Sequence, residues 1–293
     1  MSEIAAPMLQ ELRTFLGASW LYEIEEMPQP HTVADSTHKF LVHLGRSAQF
    51  ILIVSNTVSP LLVHRNVARM RMAKTRLSKR VGNAIELPLV EGKYGARSYA
   101  LWRMRTPLSS NRLRRAIQKE LITPVVAQWL AEVATETLHA GEASESVALI
   151  DRLLSVPGLS NEIRASAEVC RLGFLSGEIS SLRVLQHGDL WLGNILKAPT
   201  PRGFMVIDWA GARSDGFPFF DLVKFGCSIG ASTKEFRQLL ENYSQSIHCS
   251  PAIALPSVLA GLGRLHQVLE YFPEQQFIAL CDRKFAALRS ALD

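Results

Sequence analysis

Paired cysteines are missing from this chain. Its 293 residues include only Cys170, Cys227, Cys249 and Cys281, too widely spaced for a CxxC unit. That speaks against a thiolate metal site or a disulfide framework and points to a reducing cytoplasm. No apolar run is as long as a membrane span. The start, MSEIAAPMLQELRTFLGASW, has neither the basic beginning nor the unbroken apolar stretch of a signal peptide. Leu9, Leu12, Phe15 and Leu16 instead share one side of a short amphipathic helix. Internal repeats and low-complexity segments are absent too. The net charge of +5 is modest, and nucleic acid is not an expected partner on that ground. The most informative absence is local: positions 36–85 contain no Asp or Glu, but do contain Lys39, Arg46, Arg65, Arg69, Arg71, Lys74, Arg76, Lys79 and Arg80. The first reading of this stretch is a solvated basic helix face. The other is a surface for phosphates, an acidic glycan, a membrane face or an acidic partner.

What is present suits an ordinary globular protein: 47% hydrophobic and 20% charged residues, in a chain long enough for one large domain or two lobes. Short alternating runs at 20–24, 39–44 and 50–54 read as strands, the last two joined by the turn at 45–48 as a hairpin. The basic segment 62–80 reads as a helix with Val67, Met70, Ala73 and Leu77 on its apolar side. Residues 99–104 form another strand. After Thr106 the pattern turns helical. Thr123 can cap a helix with Pro124 at its first position and Gly141 beyond its end; Val126, Leu130, Val133 and Leu138 form the buried side. Helices follow at about 143–155 and 160–175 and return from about Thr233, with Pro256 and Pro273 near two starts. The order gives an α+β chain with two lobes: a small strand-rich lobe with one main helix (1–105), a hinge near 102–108, and a larger helical lobe (106–293). Ligands tend to bind in the cleft of such an arrangement.

Between helices lies His187-Gly188-Asp189-Leu190-Trp191-Leu192-Gly193-Asn194, followed by Val206-Ile207-Asp208-Trp209. An Asp and an Asn stand five residues apart, and a second Asp ends its own apolar segment. Phosphoryl transfer needs this set: a carboxylate to take a hydroxyl proton, and an amide with a carboxylate to hold Mg²⁺.

Together with Gly216-Phe217-Pro218-Phe219-Phe220-Asp221-Leu222, these segments resemble the aminoglycoside phosphotransferase and choline kinase superfamily, which has the protein-kinase-like fold. The HGDLW…GN form is also similar to the loop of fructosamine kinases. The resemblance is strong over 184–225, weaker across 20–140 and uninformative after about 230. It implies an ATP- and Mg²⁺-dependent kinase acting on a small-molecule hydroxyl. Asp189 is then the base, a role typically contributing about 10²–10⁴-fold. Asn194 and Asp208 hold the metal, His187 shapes the catalytic loop, and Asp221 braces it from a helix start. Trp102 and Met104, beside the hinge, are assigned to the nucleotide. Trp191 stands two residues after Asp189, where protein kinases carry a Lys.

The chain also departs from the family. A strand Lys that contacts the α/β-phosphates, paired with a helix Glu, is expected. Ile53 stands at the Lys position, and the helix that follows has no acid, since Glu86 is the first after Asp35. Loss of both halves is coherent, because a Glu without its Lys would be a poorly compensated charge. Lys39 on the adjacent strand is the first replacement candidate, with Arg65 or Arg69 behind it. Mg²⁺ and backbone N–H groups alone, or a lobe that does not hold ATP in the usual way, are the alternatives. The phosphate loop, residues 27–36, has no Gly-rich sequence. Glu142, Glu145, Asp151 and Asp215 are too scattered for a polycationic aminoglycoside, so a neutral or anionic acceptor such as a sugar fits better. Two other functions stay open: a kinase-like protein without turnover that binds a nucleotide or partner, and a nucleotidyl transferase.

Overall fold

The computed structural model describes residues 22–28, 37–45, 47–109, 111–267 and 273–293. The helix expected around Leu9 to Leu16, residues 29–36 of the phosphate loop, and Arg46 lie outside them. The chain divides into two compact units, one from Met1–Arg71 and Glu86–Thr106, the other from Met72–Ile85 and Pro107–Asp293.

The first unit is an antiparallel sheet of β1 (Tyr22–Glu26), β2 (His38–Leu44), β3 (Ser47–Val54), β4 (Val90–Tyr94) and β5 (Arg97–Arg103), in the order β1-β2-β3-β5-β4. Alternation sorts its side chains. Phe40, Val42, Leu52, Val54, Tyr99 and Leu101 are buried together on one face. Ile53, Ala100 and Trp102 pack with Val63 and Val67 of α1 (Leu62–Thr75) on the other. Two buried serines, Ser55 just past β3 and Ser98 on β5, seat the helix start. Ser55 Oγ accepts from Val63 N at 2.9 Å, and Ser98 Oγ accepts from His64 N at 3.1 Å. They satisfy amides that a first helical turn leaves unpaired.

The expected 62–80 helix is two elements, because Ser78 interrupts it. Its side chain caps the four-residue α2 (Lys79–Gly82) by accepting from Val81 N, while its own N and Oγ donate to Glu136. Residues 72–85, which the sequence order places in the first lobe, belong to the second unit. Trp129 donates its indole N–H to Val81 O at 3.0 Å, and Val206 N donates to Ala84 O at 2.9 Å.

After the two-residue β6 (Thr106–Pro107) comes α3 (Arg112–Thr137). It starts well before the expected Thr123 cap. Asn111 is the N-cap, accepting from Arg114 N, and Pro124 lies inside the helix. Proline forfeits the backbone bond to Glu120 O there, and Thr123 Oγ1 donates back to Lys119 O at 2.7 Å; the helix continues because Val126 and Trp129 are buried beyond it. Then come β7 (His139–Ala140), α4 (Ala143–Leu154), α5 (Asn161–Ser176), β8 (Leu182–Gln186), β9 (Ile195–Lys197), β10 (Phe204–Val206) and β11 (Arg213–Gly216). The remaining elements are helices: α6 (Phe220–Ser228), α7 (Thr233–Ser246), α8 (Ala254–Gln267) and α9 (Glu274–Leu292). β8 lies between β11 and β7. Trp129 is fully buried, edge-on to Phe204 and Trp209. α8 lies tight on α4: a Cβ on Gly263 would sit 1.9 Å from Leu149 O.

Candidate active site

β8 delivers the chain to His187, and the loop from there to Asn194 is fixed by backbone bonds to buried side chains. Asp221, in the first turn of α6, accepts from His187 N at 2.6 Å and Gly188 N at 2.9 Å, one on each carboxylate oxygen. Burial pushes the Asp221 carboxyl up from its usual range, and His187, the two amides and Lys224 pull it back. Asp221 therefore does brace the loop from a helix start. Gly188 has φ +85°, and a Cβ there would lie 2.6 Å from Gly211 O, so both backbone shape and the passing 209–211 turn require glycine.

His187 is buried and makes two bonds that fix its form. Nδ1 accepts from Asp189 N at 3.2 Å, which leaves Nε2–H to donate to Ile207 O at 3.0 Å. Burial pushes its pKa below the ordinary imidazole value. A neutral ring with both nitrogens engaged orients the loop; it has no lone pair left for a substrate proton. Its ring packs against Trp209, centroids 4.6 Å apart.

Asp189 and Asn194 come together as their spacing suggested. Asn194 Nδ2 donates to Asp189 O at 2.8 Å and Oδ2 at 3.2 Å. That leaves the Asn194 Oδ1 as the amide oxygen open to a cation. The ladder between β9 and β10 extends by one bond, Ile207 N to Asn194 O at 3.0 Å, so Asp208 is the next residue beyond a direct link to Asn194. Asp208 is exposed and left-handed, with φ 63° and ψ 63°. For a non-glycine residue this costs about 1–3 kcal/mol, a strain typical of functional positions. One carboxylate and one amide oxygen suit Mg²⁺, which keeps waters and substrate phosphates as its other ligands. Among the described residues no cluster of three or more His, Cys, Asp or Glu forms an all-protein metal cage.

The sequence reading missed Lys224. Its Nζ pairs with Asp189 Oδ1. One helix face supplies three contacts to the loop: Asp221 on the His187 and Gly188 amides, Lys224 on Asp189, and Ser228, whose Oγ accepts from Leu192 N at 3.0 Å. The i, i+3, i+7 spacing was the available signal. Behind Phe220 lies Lys284 of α9, 2% exposed, its Nζ 5.0 Å from the Phe220 ring centre and without a hydrogen-bond partner among the described residues.

The expected nucleotide residues lie in the first unit. Lys39 is directly opposite Ile53, which is opposite Ala100. Residues so paired point to one side of an antiparallel sheet, so Lys39 emerges on the α1 face in the same row as the missing lysine. It is exposed and makes no ion pair among the described residues. Trp102 donates its indole N–H to Glu86 O at 3.2 Å, and Met104 N donates to Gln49 O at 2.8 Å. Both side chains are half-buried. Arg71 is neutralised by Glu91 and Arg80 by Glu132. In the second unit Glu145 is held by Arg183 and Arg264, Asp215 by Arg264 and Arg213, and Asp151 by Arg171.

No protein-family model matches the chain, and no curated protein matches it by sequence. Solved structures do. Choline kinase LicA from Streptococcus pneumoniae is 15% identical over 97% of this chain and 98% of its own, with a TM-score of 0.56. The GDP and kanamycin complex of APH(2'')-IIia is 12% identical over 97% and 98%, with a TM-score of 0.55. The macrolide 2'-phosphotransferase MphH from Brachybacterium faecium is 15% identical over 96% and 97%, with a TM-score of 0.54. The likeness is one of fold, and the chain has the protein-kinase-like fold shared by the choline kinase and aminoglycoside phosphotransferase structures.

Proposed function

We propose that this protein is a phosphotransferase that moves the γ-phosphoryl group of ATP, with Mg²⁺, to a hydroxyl of a small molecule. One observation carries the reading: Asp189 and Asn194 are bonded to each other, with Asp208 one residue beyond the backbone link to Asn194. Asp189, 43% exposed at its side chain, is the base that receives the acceptor's proton. Asn194 Oδ1 and the Asp208 carboxylate hold the metal. Bound Mg²⁺ supplies charge neutralisation of the phosphates, and the rest of the rate comes from positioning. His187 and Asp221 hold the loop still; they do not exchange protons with substrate. Lys39 is the proposed phosphate contact of the first unit.

The acceptor is neutral or anionic. The carboxylates a polycation would need are mostly spent on arginines: Glu145, Asp215 and Asp151 all lie in ion pairs, and Glu142 alone of the four is in none. The fold of LicA and MphH supports phosphotransfer in general. A binding protein without turnover is the second reading, favoured by Ile53 at the lysine position and by a cation already seated on Asp189.

Transfer of label from γ-labelled ATP to an acceptor separates the two, and titration calorimetry with ATP tests the metal assignment. Binding should require Mg²⁺ and should weaken by at least about tenfold in Asp208→Ala, the loss of a charged metal ligand being worth more than 1.4 kcal/mol. Metal-independent binding that Asp208→Ala leaves unchanged would refute the metal assignment.

A further inference from the structure

We infer that Lys224 is a catalytic residue, the cation that contacts the transferring phosphoryl group. This rests on the phosphotransferase reading. The chain lacks two cations that kinase sites usually use. Ile53 occupies the strand lysine position, and Trp191, exposed and lying across Gly193, occupies the position two residues after the base. A phosphoryl group in transit spreads charge over three oxygens, and Mg²⁺ with neutral amides leaves part of it uncompensated. Lys224 supplies a charge in that neighbourhood from a different element, α6.

The placement follows from bond lengths. The acceptor oxygen must lie within one hydrogen bond of the Asp189 carboxylate, about 2.6–3.2 Å, for the proton to transfer. Its phosphorus target is one near-attack distance further, about 3–3.5 Å. An ammonium on Asp189 Oδ1 is therefore within a side-chain swing of both. Lys224 is held there at both ends. Its helix is fixed to the loop at Asp221 and Ser228. Its own bond to Asp189 then fixes the end of the side chain.

In the step itself the acceptor O–P bond forms as the bond from phosphorus to the ADP oxygen breaks. The hydroxyl proton goes to the Asp189 carboxylate. Lys224 keeps all its protons and donates N–H bonds to a non-bridging phosphoryl oxygen, which its flexible four-carbon stem allows without leaving Asp189 far behind. In the absence of substrate the same ammonium occupies the base, which restrains idle attack by water.

The test is binding of Mg·ADP with and without aluminium fluoride, a planar stand-in for the phosphoryl group, by calorimetry on the full chain. The wild type should bind Mg·ADP and gain affinity when fluoride complex is added. Lys224→Met should bind Mg·ADP alone within about threefold of wild type but lose about 10²–10³-fold of the added affinity, the scale of removing one transition-state donor. Lys224→Arg should recover most of it. A thermal melt confirms that each variant is folded. If Lys224→Met gains as much from the fluoride complex as wild type, the inference fails while the phosphotransferase reading stands. If wild type gains nothing, the phosphotransferase reading itself fails, and the inference with it.

Discussion

Lys284 sits in surroundings that suit its charge poorly. It is buried on α9 without a hydrogen-bond partner among the described residues, and burial pushes its pKa down to about 8 from the ordinary lysine value of 10.5. At pH 7 it is charged in both folded and unfolded chains, so the fold carries the cost of the buried charge, about 3 kcal/mol on the scale of 1.36 kcal/mol per pKa unit. Between about pH 8 and 10.5 the folded chain has released a proton that the unfolded chain keeps, so stability rises with pH across that window. Lys284→Met should therefore stabilise the protein at pH 7, by about 1–3 kcal/mol once the lost cation–π contact is discounted. That gain should shrink toward pH 10. Denaturant melts at both pH values check it, and an equal gain at each would contradict the buried-charge account. Gly188 gives the opposite case. Its left-handed backbone and the 2.6 Å approach to Gly211 O leave no place for a methyl group. Gly188→Ala should cost roughly 2–4 kcal/mol in the same assay, strain and close contact acting together. At this scale the sequence was most legible where a spacing encodes chemistry. Asp189, Asn194 and Asp208 could be named from order alone, whereas Lys284 owes its state to burial between helices, which no local pattern announces.

At the scale of elements, α6 organises the site. Asp221, Lys224 and Ser228 lie along one face and together hold the loop amides and the Asp189 carboxylate. Ser228→Ala removes the acceptor for Leu192 N, leaving a part-buried amide unpaired at a cost of about 1–3 kcal/mol. Phosphotransfer should fall more than thermal stability does, because the released segment sits between Asp189 and Asn194. An equal loss of transfer in a distant variant such as Ser232→Ala, which removes the α7 capping box, would show that the bond has no special bearing on the loop. Lys224 was readable in principle, at i+3 from Asp221, but only once Asp221 was known to face the loop. The start of α3 was misread for a different reason. Thr-Pro is a strong start signal, and here tertiary burial of Val126 and Trp129 together with the Asn111 cap carried the helix through it. The Ser78 break in the basic segment was likewise hidden, because its partner Glu136 lies 58 residues away.

At the scale of the whole molecule, the chain has two compact units, and the candidate chemistry falls unevenly on them. The second carries the proposed base and metal ligands. The first offers Lys39, in the row of Ile53 on the α1 face of the sheet. Lys39→Ala should weaken Mg·ATP binding by roughly tenfold, the worth of one charge-assisted phosphate contact, and leave the melting temperature unchanged because the side chain is exposed. Unaltered affinity in that variant would remove Lys39 from the nucleotide site. Among the described residues no single helix is long and apolar enough to cross a membrane. The strand-then-helix order was legible from the change of period, from 2 to 3.6, near Thr106. The assignment of 72–85 to the second unit was not, since it depends on Trp129 and Val206 donating to carbonyls of that segment. The central claim is that Asp189 drives transfer of the γ-phosphoryl group to an alcohol. Its most direct measurement uses ATP labelled separately at the γ-phosphate and the adenine, with Mg²⁺ and a panel of neutral and anionic alcohols, in wild type and Asp189→Asn. The expected result is γ-label alone on an acceptor, with the rate about 10²–10⁴-fold lower in the variant while nucleotide binding persists. Adenine label on the product, or full transfer by Asp189→Asn, would contradict it.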